Sequence, residues 1–544
     1  MKTLNRLALA IGLMAASPAL AQAPSVDAPA GKVSGKQEGD INVFLGLPYA
    51  QPPVKTRRWQ PPQPLPRWDG VRAATEFGPA CVQPTSKTPN IYSPATPLPT
   101  NEDCLSLNIW APKNAKNAPV FFWIHGGALV SGSSREALYD GKKLAERGAI
   151  VVSINYRLGV LGWLAHPQLS AETGQKVSGN YGLLDQAMAL YWVRNNIAAF
   201  GGDAKNVTIA GESAGALSVM YLMESPIARG LFHKAIAQSA YMLPMPDLKK
   251  MVHGLPSGEA VGTMLQAGLQ LPDLKAMRGM PAQQLTDAAP AMGFAPWGVV
   301  DGFALPEQMV TAFDGGRQAK VPLLTGFNQG EIRSLMMLAP KAPGDAATYE
   351  KEIRARYGEL ADAFLKLYLS SDVKESILLT VRDTLYGWTS ERMARKQTAA
   401  GQKSYVYLFD HGYPATDEKG LHAFHASELP YVFGTPERVG PLWPKIPDTP
   451  AEHALSKTMI DYWTSFAATG TPVSAGAPTW ESFGTKRSYM HFADVPKAET
   501  GLMPGMYELH ETVMCRRRMA GNIPWMWNSS VVSPKLPAKA AGCD

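Results

Sequence analysis

Five stretches of the chain are short, rich in β-branched or aromatic residues, and bounded by Gly, Pro or Asn: APVFFWIHGG, GAIVVSINY, NVTIAGES, VPLLTGFN and KSYVYLFD. They read as buried strands. Helical patterns lie between them. The clearest is YGLLDQAMALYWVRNNIAAFG, where Leu183, Ala187, Leu190, Tyr191, Arg194 and Ile197 recur at three- and four-residue steps before a Gly-Gly stop. Strands alternating with helices predict an α/β protein with a mostly parallel central sheet flanked by helices. Two regions do not fit a simple alternation, residues 244–316 and 332–401. Both read as helical excursions from one sheet, because the residues singled out below for chemistry lie on either side of each. The last residues, SSVVSPKLPAKAAGCD, are rich in Pro and Ala and predict a poorly ordered tail.

The N-terminus changes the picture. Lys2 and Arg6 precede an apolar run from Leu7 to Ala16, and the small residues Ala19 and Ala21 follow. That is the build of a secretory signal peptide, residues 1–21, cut after Ala21. The run is too short to span a bilayer, which takes roughly 20 residues. Residues 22–544 then form one exported domain with large insertions. With 45% hydrophobic and 18% charged residues, the chain has ample material for a core. The formal charge of +6 includes Lys2 and Arg6, so the mature chain is only mildly basic and no nucleic-acid surface is indicated. The one dense basic run, Arg516-Arg517-Arg518, reads as a solvated helix or loop end. Four cysteines in an oxidising compartment allow three pairings. Cys81 and Cys104 bracket a Pro-, Thr- and Ser-rich loop without evident means of packing itself, which favours a clip there and leaves Cys515 and Cys543 over.

The strongest local motif is NVTIAGESAGALSVMYLM, a strand pattern that runs through Gly211-Glu212-Ser213-Ala214-Gly215 straight into a helix pattern. A serine on so sharp a turn needs small neighbours two positions away, and the following helix aims its N-terminal N–H groups at the reaction centre. Such a nucleophile needs a base and a group that orients the base, in the order acid then histidine. Glu331, in VPLLTGFNQGEIRS, supplies the acid. His425, in LHAFHASELPYVFG, supplies the base, with His411 and His422 as nearby competitors. An oxyanion hole needs outward-facing amides after a strand end; WIHGGALVSGSS offers Gly127 and Ala128, and the elbow adds Ala214.

These motifs, in this order, resemble the type-B carboxylesterase family, the α/β-hydrolase group that includes cholinesterases and some lipases. The likeness runs through FLGLPYAQPPV, RRWQPP, NEDCLSLNIW, WIHGGALVSGSS, NYRLG, NYGLLDQAMALYWVRNNIAAFGGDAKNVTIAGESAG, LFHKAIAQS and HASELPYVFG. It implies Ser213 as nucleophile, Glu331 as triad acid and His425 as base. It also implies a disulfide between Cys104 and Cys81, and a buried polar network of Glu212, Ser239 and Glu428 behind the histidine. The chemistry implied is ester hydrolysis through an acyl-enzyme without metal or organic cofactor, on a small-molecule or polymeric ester; lipase, polyesterase or amidase activity would use the same residues. Non-catalytic adhesion relatives lack a triad member, and all three candidates are present here. Three departures stand out. Ala128 replaces the family's third glycine. The loop between Cys81 and Cys104 contains no Trp, so choline esters are not expected. Met292 and Phe294 match the acyl-pocket segment only loosely.

Overall fold

The computed structural model describes residues 23–86, 88–525 and 530–543; residues 1–21, read from sequence as a signal peptide, lie outside the described residues. An eleven-stranded sheet organises the molecule. Its strands in chain order are β1 Lys36–Glu38, β2 Ile41–Pro48, β3 Ser106–Pro112, β4 Ala118–Ile124, β5 Ile150–Ile154 and β6 Gly202–Glu212, followed by β7 Lys234–Gln238, β8 Leu323–Asn328, β9 Ser404–Phe409, β10 Ser488–Phe492 and β11 Lys497–Thr500. In space they run β11-β10-β9-β8-β7-β6-β4-β5-β3-β2-β1. From β5 to β10 all neighbours are parallel, and the pairs at both edges are antiparallel. This is the α/β-hydrolase fold.

The central strands are buried on both faces because successive side chains feed two different cores. Val120, Phe122 and Ile124 of β4 enter one cluster, while Phe121 and Trp123 enter the other. Helices α1 Tyr181–Asn196 and α2 Ala214–Glu224 cover the first face, and helix α5 Pro450–Thr469 covers the second. Every residue of α2 is buried, which suits a helix with almost no polar side chains. In α1 the buried stripe runs through Leu183, Ala187, Leu190 and Val193, and Ile197 is buried just past its end, but Tyr191 and Arg194 leave it. Both point to solvent, where the Arg194 guanidinium stacks on the Tyr191 ring at 4.5 Å. The sheet changes direction at β4, with β5 on one side and β6 on the other. In open α/β sheets the crevice beyond the carboxyl ends at such a point is where ligands bind.

Residues 244–316 hold several short helices. Residues 332–401 hold longer ones, including α3 Val373–Arg382, a π-helical turn Asp383–Gly387 and α4 Trp388–Ala399. Cys81–Cys104 and Cys515–Cys543 are both disulfide-bonded. Among the described residues no helix is long and apolar enough to cross a membrane.

Two expectations fail at the C-terminus, and for one reason. Helix α6 Met506–Met519 carries Arg516 and Arg517 inward, both buried, rather than into solvent. Arg516 pairs with Glu359, Arg517 donates to the Pro534 carbonyl at 2.9 Å, and Arg518 pairs with Asp314. The tail is therefore held in place: Arg356 donates to Ser533 O at 2.7 Å, the Leu536 amide donates to Arg356 O, and Val531 is buried.

Candidate active site

Ser213 sits between β6 and α2 with φ 57° and ψ −121°. A non-glycine residue rarely adopts such a backbone, and the elbow is held by contacts that only glycine permits. A Cβ on Gly215 would lie 2.1 Å from the Ile124 carbonyl oxygen, and one on Gly211 would lie 2.5 Å from Gly215 backbone. The Ser213 amide donates to Gln238 O of β7 at 2.9 Å, fixing the turn.

Glu331 opens a 3₁₀ turn three residues beyond the end of β8 and is fully buried. Its Oε1 accepts hydrogen bonds from Ser239 Oγ at 2.6 Å and from the Asn328 amide at 2.9 Å, while its Oε2 faces His425 Nδ1 in a short contact. The turn and the histidine loop are joined through the backbone: the Gly330 amide donates to Ala423 O at 2.7 Å, and a Cβ on Gly330 would stand 2.7 Å from the Leu421 carbonyl oxygen. On its other side His425 Nε2 lies 3.1 Å from Glu212 Oε1. Among the described residues no hydrogen bond joins His425 to the Ser213 hydroxyl. His411 and His422 belong elsewhere: His411 lies between Asp494 and Glu452, and His422 between Asp410 and Asp417.

Behind the histidine, Glu428 accepts from Gln238 Nε2 at 2.8 Å and from Asn328 Nδ2 at 2.7 Å, and Trp463 Nε1 donates to Gln238 Oε1 at 2.9 Å. Three buried carboxylates thus surround one imidazole. Burial alone would depress the His425 pKa, but Glu212, Glu331 and Glu428 overcome it and lift it to about 9. Burial pushes Glu212 up to about 8 against the pull of His425, and burial raises Glu428 as well.

The amides expected to meet an oxyanion lie at the end of β4 and the start of α2. Gly127 has φ 103° and Ala128 φ 56°, and Ala128 is exposed. A Cβ on Gly127 would come within 2.2 Å of Ser131 O. Among the described residues the N–H groups of Gly127, Ala128 and Ala214 donate to no other group of the protein. Phe294 packs into the core, while Met292 is 45% exposed beside Gly268.

Three side chains at the site were not singled out by sequence. Tyr92, from the Cys81–Cys104 loop, donates its hydroxyl to His425 O at 3.0 Å, hydrogen-bonds Ser334 Oγ at 2.7 Å, and sets its ring against Trp443. The loop therefore does pack, through Ile91 and Tyr92. Tyr386 lays its ring against the His425 imidazole and Tyr241 packs against Tyr386; nothing in the spacing of either residue marks it.

Comparison with known proteins fits this geometry. The model of the Carboxylesterase family matches residues 22–509. The chain belongs to the carboxylesterase family. It is 35% identical to a fumonisin B1 esterase of Sphingopyxis macrogoltabida over 86% of both chains. It is 36% identical to a para-nitrobenzyl esterase of Bacillus subtilis over 83% of this chain and 91% of that protein. Among solved structures a PNB esterase superposes with a TM-score of 0.77 at 32% identity, over 89% of this chain and 99% of that one. This carboxylesterase is a carboxylic ester hydrolase.

Proposed function

We propose that Ser213, His425 and Glu331 act as a catalytic triad that hydrolyses esters through an acyl-enzyme. The observation that carries this is the buried Glu331–His425 pair set beside a strained serine elbow whose flanking amides are unengaged. His425 takes the Ser213 proton as the hydroxyl attacks the carbonyl, and Glu331 holds the imidazole and stabilises its charge. The amides of Gly127, Ala128 and Ala214 meet the oxyanion, each being worth several kcal/mol of barrier. His425 then protonates the departing alcohol and activates water against the acyl-enzyme, with no step calling for a metal or organic cofactor. Substrate entry turns the Ser213 hydroxyl toward His425 Nε2, since catalytic hydrogen bonds are often incomplete without substrate. Residues 22–544 act as one catalytic unit, exported by the signal segment 1–21; two disulfides accord with an oxidising destination.

Ser213→Ala tests the assignment. Ester turnover should fall by roughly 10⁴-fold or more, because triad members act as a unit. Fluorophosphonate should label the native protein at Ser213 and leave the variant unlabelled. Near-native turnover by Ser213→Ala would overturn the reading.

A further inference from the structure

Two phenols stand beside the proposed triad with no part in the steps above. Tyr386 is carried by the π-helical turn Asp383–Gly387, between α3 and α4. Such turns insert one residue into the helical register and are frequent at functional sites. The turn lays the Tyr386 ring over the His425 imidazole, with centroids 5.4 Å apart and planes at 34°. Tyr241 follows the end of β7 by three residues and meets Tyr386 edge to face, with centroids 6.1 Å apart.

Both residues are more than nine-tenths buried, Tyr386 at 3% exposure and Tyr241 at 9%. Yet among the described residues neither hydroxyl is hydrogen-bonded to another group of the protein, nor sealed from solvent. Of the other buried tyrosines, Tyr156 donates to His125 O at 2.9 Å and Tyr49 to Asn155 O at 2.7 Å, whereas among the described residues the Tyr181 and Tyr407 hydroxyls lack a partner but are sealed from solvent. Burial raises both phenols above the ordinary tyrosine range, so each stays a neutral donor at working pH.

A hydroxyl that is unpaired and not sealed, on a ring packed at the reacting histidine, has only water as a partner, and substrate entry removes that water. A plain alkyl group leaves it unpaired, whereas an oxygen on the substrate replaces the lost water, and this difference discriminates between substrates of equal shape. The charge around the cleft narrows the choice further. Glu212 and Glu331 act on Tyr386, and Glu212 on Tyr241, and they disfavour an anionic substituent.

We infer that Tyr241 and Tyr386 determine specificity, selecting esters that carry a neutral hydroxyl or carbonyl oxygen close to the scissile carbonyl over esters with a plain alkyl group of the same shape. The inference rests on Ser213 and His425 being the reacting pair.

The test uses two aryl esters of one phenol, the 3-hydroxybutyrate and the 3-methylbutyrate, which differ by a hydroxyl in place of a methyl. The native enzyme should favour the hydroxy ester in kcat/KM by about tenfold or more. Tyr386→Phe and Tyr241→Phe should each pull that ratio toward one, and the double variant further, by raising the rate on the methyl ester and lowering it on the hydroxy ester. The ratio is measured within each variant, so a general loss of activity cancels. A native ratio near one, or a ratio unmoved in both single variants, would overturn the selectivity. If those results came from a protein that fluorophosphonate labels at Ser213, the triad would stand. Undiminished hydrolysis of both esters by Ser213→Ala would overturn the triad, and the selectivity with it.

Discussion

Glu212 and Ser213 are adjacent in sequence, and the carboxylate of the first reaches His425 Nε2, the atom that receives the proton of the second in the proposed mechanism. Glu212 and His425 therefore titrate as a pair. A neighbouring negative charge favours imidazolium, so His425 stays protonated to higher pH than an ordinary histidine, and imidazolium cannot act as a base. It follows that kcat/KM rises with pH along a limb placed well above the usual histidine range. Glu212→Gln removes one of the charges that raise His425, so the limb should move to lower pH while Glu331 still orients the ring. Profiles of kcat/KM against pH for both proteins check this. A limb that stays put or moves upward would mean that Glu212 does not hold the proton on His425. Most residues of this corner are legible in sequence: Ser213 from its flanking glycines, and Glu331, His425, Glu212, Ser239 and Glu428 from their matching motifs. Gln238 is not, because a glutamine at the end of KAIAQ resembles the end of a strand, not a bridge between Glu428 and Trp463.

The segment from Cys81 to Cys104 shows how an element can be misread from composition. Its prolines and threonines predict a loop with nothing to pack, yet one residue, Tyr92, ties it to the backbone of His425 and to Ser334. The disulfide closes 23 residues, worth roughly 3 kcal/mol in the chain-entropy model. Replacing both cysteines with serine should therefore lower kcat/KM, more for bulky esters than for small aryl esters, because the freed loop no longer steadies the histidine or bounds the cleft. Tyr92→Phe removes only the hydroxyl and should reproduce part of the kinetic loss with little change in Tm. Steady-state kinetics on a bulky and a small ester, alongside thermal melts, separate the two effects. Equal activity of all three proteins on both esters would show that the loop does not act through His425. Strand prediction divides in a similar way. The apolar runs of β4, β5, β8 and β9 stand out, and β6 is legible from its second half, whereas β7 and the antiparallel edges do not. β7 has one β-branched residue in five, and β1 and β11 are short and polar, so only their neighbours in the sheet decide their state.

At the scale of the whole molecule the two disulfides are expected to do different jobs, the C-terminal one concerning stability alone. Cys515 lies on α6 and Cys543 near the chain end, so the bond closes 28 residues around the tail. Arginines that look solvated in sequence are turned inward by the helix to meet that tail: Arg517 donates to Pro534 O, and Arg516 pairs with Glu359 beside the helix Ala346–Tyr357. Sequence cannot show this, since an Arg triplet followed by a Pro- and Ala-rich stretch has the composition of a free end, and only the third element packed against both makes burial favourable. Guanidinium groups buried this way need their partners, because an unpaired buried charge is strongly destabilising. Cys515→Ser with Cys543→Ser should lose about 3 kcal/mol from loop closure and loosen the contact between Arg517 and the Pro534 carbonyl. Tm should then fall by several degrees. The proposed triad residues belong to loops at the ends of β6 and β8 and to the His425 loop, none of them on α6 or the tail, so kcat/KM on esters of any size should hold within about twofold below the melt, where substitutions at distant sites act independently. The expected pattern is the reverse of that for Cys81 and Cys104: stability lost and catalysis kept. Melting curves and kcat/KM on the same preparations decide it, and a large loss of activity well below Tm would mean that the tail supports the active site as well as the fold.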